Sequence, residues 1–421
     1  MPPVPDCIGE KHLSQEPWGL LLIISVMGFL LIGGMLTSLS VYSSVMQPDF
    51  HWSEAAMGAG PVALLLGMST GNLMIAGVMQ RLGIRSAYII GVGVAAFGWI
   101  SAGFVQGLVQ FMSAMALAGF GIGMATIVPG IALISQTFHK RKGLAMALFI
   151  GACGFASATM PMLSSELIGA LGWHRTFWAM GVVTALACLF LLRKWPRGIK
   201  DEPGDSAAQD HAQKRGLGRK ETFRLPAYWM LAFALTLSQL CMNGVLFNTI
   251  AFLRKGGFDQ ATAVRIYGIA NFMSLPGLMI GGYVSDKVNA RLLLPIILLL
   301  QAIGTAGLLG IGSPIWNPYA VVVFALIWGG VAGLPAQAGS MLLGEIIGQR
   351  AYTAMLGVVF TINGFVGAMA PALVGWAYEK THGYAWPISM LALFCLLAAA
   401  ASLFCRSGHE PNGTTFAAPA H

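Results

Sequence analysis

Residues 18–45 read WGLLLIISVMGFLLIGGMLTSLSVYSSV, without one acidic, basic or histidine side chain, and residues 292–311 form a second such run. About 20 apolar residues cross the hydrocarbon core of a bilayer as an α-helix. Inside lipid every backbone N–H and C=O must be paired by the protein itself, which leaves helices and closed β-barrels as the spanning structures. Barrel strands alternate polar and apolar residues over roughly ten positions, and this chain does not. Twelve apolar windows follow one another at about 18–46, 55–79, 86–105, 109–136, 143–169, 173–193, 226–253, 261–284, 292–312, 318–346, 352–378 and 384–405. The chain therefore reads as an all-α membrane protein with twelve transmembrane helices. Its 10% of charged residues, against about 25% in soluble domains, cannot cover a water-facing surface.

The first window is long enough to span, and Lys11 is the only basic residue before it. A cleaved signal peptide has a shorter apolar core and a small-residue cleavage site, so the window is kept as a helix. Cys7, Cys153, Cys188, Cys241, Cys395 and Cys405 show no paired spacing, and five of them lie within apolar windows. They read as small packing residues rather than as a disulfide frame or a metal site.

Lysine and arginine set the topology. If the first helix leaves the cytoplasm, the cytoplasmic loops and tails hold 19 of the 24 Lys and Arg residues. The opposite face keeps Arg175, Arg254, Lys255, Arg265 and Lys380. The positive-inside rule then places both termini in the cytoplasm, in the inner or plasma membrane of the cell. The formal net charge of +8 is topological, and no basic patch on a soluble face points to nucleic acid. The longest polar segment, KDEPGDSAAQDHAQKRGLGRKE, mixes both signs with Gly, Ala and Gln and reads as a flexible linker. The expected division is a tail at 1–17, six helices at 18–195, a linker at 196–225, six helices at 226–405 and a tail at 406–421.

The two sets of six carry one pattern. GFASATMP at 154–161 and GFVGAMAP at 364–371 share Gly, Phe, Ala and Pro in register, 210 residues apart. AGVMQRLGIR at 76–85 and GYVSDKVNAR at 282–291 each follow the second window of their set, with basic residues at the sixth and tenth places. A duplication explains both pairs, giving two pseudo-symmetric six-helix halves. Parallel repeats about an axis along the membrane normal, with a substrate site between them, are the plan of one large transporter class.

The stretch from Gly282 through Ser285, Asp286 and Lys287 to Arg291 resembles the signature loop of the major facilitator superfamily; its first-half counterpart has Ala76 and Gln80 in place of the leading Gly and the acid. Within that superfamily the chain is similar to the monocarboxylate-porter group. The matching stretches are FHWS at 50–53, FHKRKGLAMAL at 138–148, Pro161 leading to LGWHRTF at 171–177, and GEIIGQR at 344–350. The resemblance implies a cytoplasmic latch of Asp286, Lys287 and Arg291, with Glu345 and Arg350 in the same layer. Relatives commonly place an arginine eight residues before the loop acid, where this chain has Leu278, and some carry a lysine in the first helix, which is absent here. A carboxylate buried without a cation is costly. Either Arg265 substitutes for the missing arginine or the substrate is less charged than a simple carboxylate.

Small residues recur at helical spacing in the repeated octapeptides, Gly151, Gly154 and Ala158 in one and Gly364, Gly367 and Ala368 in the other. They allow close backbone approach, and Pro161 and Pro371 permit bends. Sliding contact between the halves and ordinary helix packing both fit. Glu166 and Arg265 are the charges furthest inside their windows, near the outer ends of the fifth and eighth. Ionisable groups at such depth are functional candidates: either they pair as an external gate that protonation of Glu166 opens, or each reaches water alone. Polar uncharged candidates for the cavity are Asn243 and Asn248 in the seventh window, Asn271, Gln337 and Asn363 in the eighth, tenth and eleventh, and Tyr42 in the first. Interhelical hydrogen bonds account for them as well as substrate contact does.

The leading expectation is a secondary transporter that works by alternating access, coupled to protons and carrying a small organic solute such as an organic acid or a monocarboxylate-like compound. It is expected to act as a monomer without cofactor, metal or nucleic acid. The alternative is efflux of a neutral or aromatic metabolite or drug. No phosphate-binding Gly-x-x-x-x-Gly-Lys-[Ser/Thr] loop supports ATP-driven pumping, and the clustered acid–base or metal ligands of a membrane enzyme are missing.

Overall fold

The computed structural model describes residues 17–138, 142–195, 217–285, 288–312, 316–348 and 351–405. Twelve helices among them are long and apolar enough to cross a membrane: α1 (Trp18–Phe50), α2 (Ala55–Ile75), α3 (Ile84–Ala102), α4 (Leu108–Ile131), α5 (Leu148–Leu171), α6 (Trp173–Arg193), α7 (Pro226–Lys255), α8 (Gln260–Val284), α9 (Ala290–Gly310), α10 (Asn317–Ile347), α11 (Met355–Thr381) and α12 (Ala385–Leu403). Each coincides with one window of the sequence. No strand occurs among the described residues. Large apolar side chains such as Leu186, Phe190, Ile280, Ile303 and Leu396 stand exposed on the outer faces, the surface a bilayer requires and water would not tolerate.

The side on which α1 begins and α12 ends is termed proximal, and the opposite side distal. The first six helices meet the last six chiefly along two crossings, α2 with α11 and α5 with α8, with a lesser contact between α1 and α7. These crossings are images of each other if α2 corresponds to α8 and α5 to α11, which is the correspondence the octapeptide repeat gives. Gly154 faces Leu275 across the second crossing, and a Cβ on Gly364 would stand 2.5 Å from Ser69 Oγ across the first. The repeated glycines therefore sit at the interface. Gly367 instead packs on Gln239 and Asn243 of its own half, and Gly151 faces open space.

The inner helices depart from regularity where backbone partners change. In α1 a π-helical stretch, Phe29–Thr37, carries Gly33 and Gly34. Thr37 Oγ1 and Ser38 Oγ both donate to the Gly33 carbonyl, at 3.2 and 2.7 Å, supplying the partners that a shifted ladder leaves missing. Helix α4 breaks at Thr126, with φ −126° and ψ −112°, and Thr126 Oγ1 donates to the Ile122 carbonyl at 2.7 Å. Helix α10 breaks at Ala332 and Gly333. Pro129 and Pro335 follow the two breaks, where a ring without N–H cannot continue the ladder.

The end of the expected linker is structured. Residues 219–223 form a short helix whose Glu221 side chain accepts from the Gly218 N–H at 2.7 Å. Leu217 N–H donates to the Ile347 carbonyl at the end of α10 at 2.9 Å. Residues 196–216 lie outside the described residues.

Candidate substrate path and distal gate

Hydrogen bonds join the two halves distally among the described residues. Arg254 Nη1, at the end of α7, donates to the Ser44 carbonyl of α1 at 2.8 Å. Gln260 Nε2, at the start of α8, donates to Ser44 Oγ at 3.0 Å. Tyr267 Oη of α8 donates to the Thr37 carbonyl at 3.5 Å. The Ala55 N–H, in the first turn of α2, donates to Glu379 Oε1 of α11 at 3.0 Å. That last contact sets a carboxylate at a helix N-terminus, where unpaired N–H groups and the macrodipole favour negative charge. Ser53 caps the same turn, its hydroxyl accepting from Ala56 N–H at 3.2 Å.

Backbones close the same end. A Cβ on Gly58 of α2 would stand 2.8 Å from the Pro371 carbonyl oxygen and 2.9 Å from the Ala372 nitrogen, so only glycine lets α2 and α11 cross this closely. On α8, Gly268 approaches the Ala158 carbonyl of α5 in the same way, 2.7 Å from its own notional Cβ.

Beneath the seal lies a small polar pocket of about 30 Å³. Ser40, Ser43, Ser44 and Gln47 of α1 form one wall, Phe247, Asn248 and Ala251 of α7 the opposite one, and Gly58, Pro61 and Pro371 the sides. Ser43 Oγ is buried with no hydrogen-bond partner. Asn248 Nδ2 donates to the Gly244 carbonyl at 2.9 Å. The lining is neutral and rich in donors and acceptors, and Arg254 stands next to it through Ser44. No carboxylate lies within 4.0 Å of Arg254 among the described residues; the one ion pair found there joins Arg291 to Glu345. Distal to the helices, Asp259 precedes α8 and accepts from the Thr262 N–H at 3.1 Å. The Thr262 side chain and N–H hold its carboxyl below the usual aspartate range.

The expected site residues separate into groups. Asn248 lines the pocket between the halves. Asn243 Nδ2 donates to the Gly367 carbonyl at 3.0 Å, and its oxygen accepts from Gln239. Asn363 Oδ1 accepts from Thr236 Oγ1 at 2.7 Å. Both asparagines are buried and tie α7 to α11 inside the second half. Asn271 Nδ2 donates to the Tyr267 carbonyl at 2.9 Å, one turn from the cross-half contact of Tyr267. Gln337 packs toward Gly282. Tyr42 is fully buried inside the first half, its ring 4.1 Å from that of Phe177 and edge-on to Trp99. Leu278 packs on Gly333 at the break in α10.

The pair expected as an external gate does not form, and other residues join the halves distally. Glu166 and Arg265 are both exposed and form no ion pair with each other. Arg254, Gln260, Tyr267 and Glu379 make the distal contacts instead. In the proximal layer Arg291 Nε lies 3.7 Å from Glu345 Oε2, with both side chains about 40% exposed (42% and 41%); such a pair contributes at most about 1 kcal/mol. Asp286, Lys287 and Arg350 lie outside the described residues. Cys153, Cys188, Cys241, Cys395 and Cys405 are free and buried. No group of three or more His, Cys, Asp or Glu side chains that can hold a metal occurs among the described residues.

Twelve spanning helices in two halves that cross at α2–α11 and α5–α8, sealed at one end around a polar pocket, form a carrier architecture. The sequence model of the Major Facilitator Superfamily matches residues 20–371. The chain belongs to the major facilitator superfamily. It is a multi-pass integral membrane protein with the fold of transporters, and the family is not one of enzymes. The chain is 23% identical over 386 residues to the uncharacterized transporter YycB of Bacillus subtilis, covering 87% of this chain and 88% of that protein. It is 24% identical over 391 residues to monocarboxylate transporter 13 of Bos taurus, covering 90% and 87%. Among solved structures, a bacterial homolog of the human lysosomal transporter Spinster, inward-facing and unoccupied, superposes with a TM-score of 0.73 at 17% identity, over 93% of this chain and 98% of that one. A D-xylose-proton symporter superposes with a TM-score of 0.71 at 18% identity, over 92% and 97%.

Proposed function

We propose that this superfamily member is a secondary transporter that carries a small organic acid by alternating access, coupled to protons, with one substrate cleft per chain. The observation that carries the reading is the distal closure: hydrogen bonds and a close backbone crossing join the two halves there, around a polar pocket. A seal of this kind between two bundles suits one end state of a rocking cycle. Lysine and arginine counts place the proximal side in the cytoplasm, and the likeness to a carrier described as inward-facing agrees with that orientation. Both termini are then cytoplasmic, and the distal seal closes the outward side.

Arg254 supports the acid. Its guanidinium is spent on a neutral carbonyl beside the pocket, and arginine is suited to bidentate carboxylate recognition. The resemblance in sequence to a monocarboxylate transporter points the same way, and likeness to a proton symporter suits coupling. The neutral lining of Ser40, Ser43, Gln47 and Asn248 favours a second reading, transport of a neutral polar or aromatic metabolite outward.

The test is counterflow in proteoliposomes with aliphatic carboxylates, aromatic acids and neutral solutes, each at two pH values. The first reading expects exchange of a carboxylate, faster at the lower pH, and sharply reduced in Arg254→Gln. Exchange of neutral solutes alone, indifferent to pH, establishes the second reading in its place.

A further inference from the structure

A second cavity, about 330 Å³ in volume, lies away from the path, at the distal end of the second half between α7, α9, α11 and α12. That size falls at the lower end of ligand pockets. Its floor is apolar, made by Leu308, Ile311 and Ile388. Its wall is aromatic and cationic: Lys255 Nζ lies 5.1 Å from the centroid of the Tyr378 ring, and Tyr378 and Tyr384 face each other at 4.4 Å. The rim is fixed by covalent geometry and hydrogen bonds. His382 ends α11 in the left-handed region at φ 52°, its N–H donating to the Tyr378 carbonyl at 2.7 Å, and Thr381 Oγ1 bonds both the Ala377 and the Gly383 carbonyls.

We propose that this cavity binds an anionic amphiphile, a phosphate or carboxylate head held by Lys255 with its apolar body on the Leu308–Ile388 floor. The chemistry follows from the lining, because a lysine over a tyrosine face presents positive charge beside an apolar surface, and tyrosine hydroxyls donate to anionic oxygens. Trp316, Tyr319 and Trp386 stand exposed near the same end, the belt that marks a headgroup level. The head group therefore comes from an acidic lipid of the distal leaflet or from an amphiphilic acid in the distal water. Lys255 and Tyr378 are the chain neighbours of Arg254 and Glu379, so a bound anion grips the two segments that carry the distal seal.

The experiment uses the full chain in phosphatidylcholine nanodiscs and needs no transport assay. Native mass spectrometry reads retained phosphatidylglycerol, and octanoate is added as the soluble competitor. The wild type should retain phosphatidylglycerol in preference to phosphatidylcholine. Lys255→Gln should lower retention about tenfold or more, the loss of one charge-assisted hydrogen bond. Lys255→Arg should keep it, and Ala385→Trp, which narrows the cavity and leaves the cation, should lose it. If octanoate binds in a Lys255-dependent way and phosphatidylglycerol does not, the site stands and its ligand comes from the water. Equal binding of both probes to wild type and Lys255→Gln overturns the proposal. So does an equal loss in Lys380→Gln, a nearby exposed cation outside the cavity, because the effect is then bulk charge.

Discussion

Replacing Gly58 by alanine loads the distal seal at its closest backbone crossing. The added Cβ would stand 2.8 Å from the Pro371 carbonyl oxygen and 2.9 Å from the nitrogen and Cα of Ala372, where ordinary contact begins at 3.4 Å. All three atoms belong to the α11 backbone, so no side-chain rotation relieves the overlap and the helices must separate by roughly half an ångström. Overpacking of this kind costs about 1–3 kcal/mol. The cost falls on the distally closed conformation alone, while the gain in helix propensity of alanine over glycine is common to both conformations and cancels. The equilibrium should therefore move toward the distally open state by about 5–150-fold. A cysteine at Ser43, in the pocket beneath the seal, reports this as the rate of labelling by a bulky membrane-impermeant thiol reagent applied distally. Gly364→Ala meets the Ser69 side chain alone, its rotatable hydroxyl at 2.5 Å and its Cβ at 3.3 Å, and Gly151→Ala meets nothing within 4 Å. The expected order is Gly58→Ala fastest, Gly364→Ala slightly raised and Gly151→Ala at the parent rate. A folded Gly58→Ala protein that labels at the parent rate refutes the assignment of this crossing as the seal.

Glu379→Gln removes the negative charge from the N-terminus of α2 and should raise the same labelling rate about two- to fivefold; no change eliminates the carboxylate as a latch. Asn248→Ala should weaken transport of the exchanged solute without altering thermal stability. Asn363→Ala should do the opposite, lowering stability by about 0.6–1.7 kcal/mol through the lost bond to Thr236; a reversed pattern in melting and counterflow exchanges the two roles. Asp259 has its carboxyl held below the usual range by Thr262, so its stabilisation of the start of α8 is present above about pH 4 and lost as pH falls through the lowered value. Melting curves of wild type and Asp259→Asn should thus converge in acid and separate toward neutrality; parallel curves remove the cap from the account.

Part of the path was legible in the sequence and part was not. Ser40, Ser43, Ser44 and Gln47 recur at i, i+3, i+4 and i+7, one face of a helix, so a polar stripe on α1 was open to reading from spacing alone. Asn248 was found as a polar residue at membrane depth, but the same reasoning took in Asn243 and Asn363, which bond within their own half. Depth in a window also singled out Glu166 and Arg265, both of which prove exposed and unjoined. Arg254 and Glu379 sit near the last turns of their helices, where a charge ordinarily needs no explanation, and no local signal marked them.

What the sequence determined by itself was the class and the plan. Apolar runs of spanning length admit only helices in lipid, and a pattern repeated 210 residues apart implies two similar halves. Those are local properties, fixed by solvent and by hydrogen bonding within each segment. Which residues meet across the halves was decided only by the tertiary structure. Contacts such as Arg254 with Ser44 or Glu379 with Ala55 join positions 210 and 324 residues apart. Periodicity along the chain carries no information about the angle at which two rigid bundles come to rest against each other.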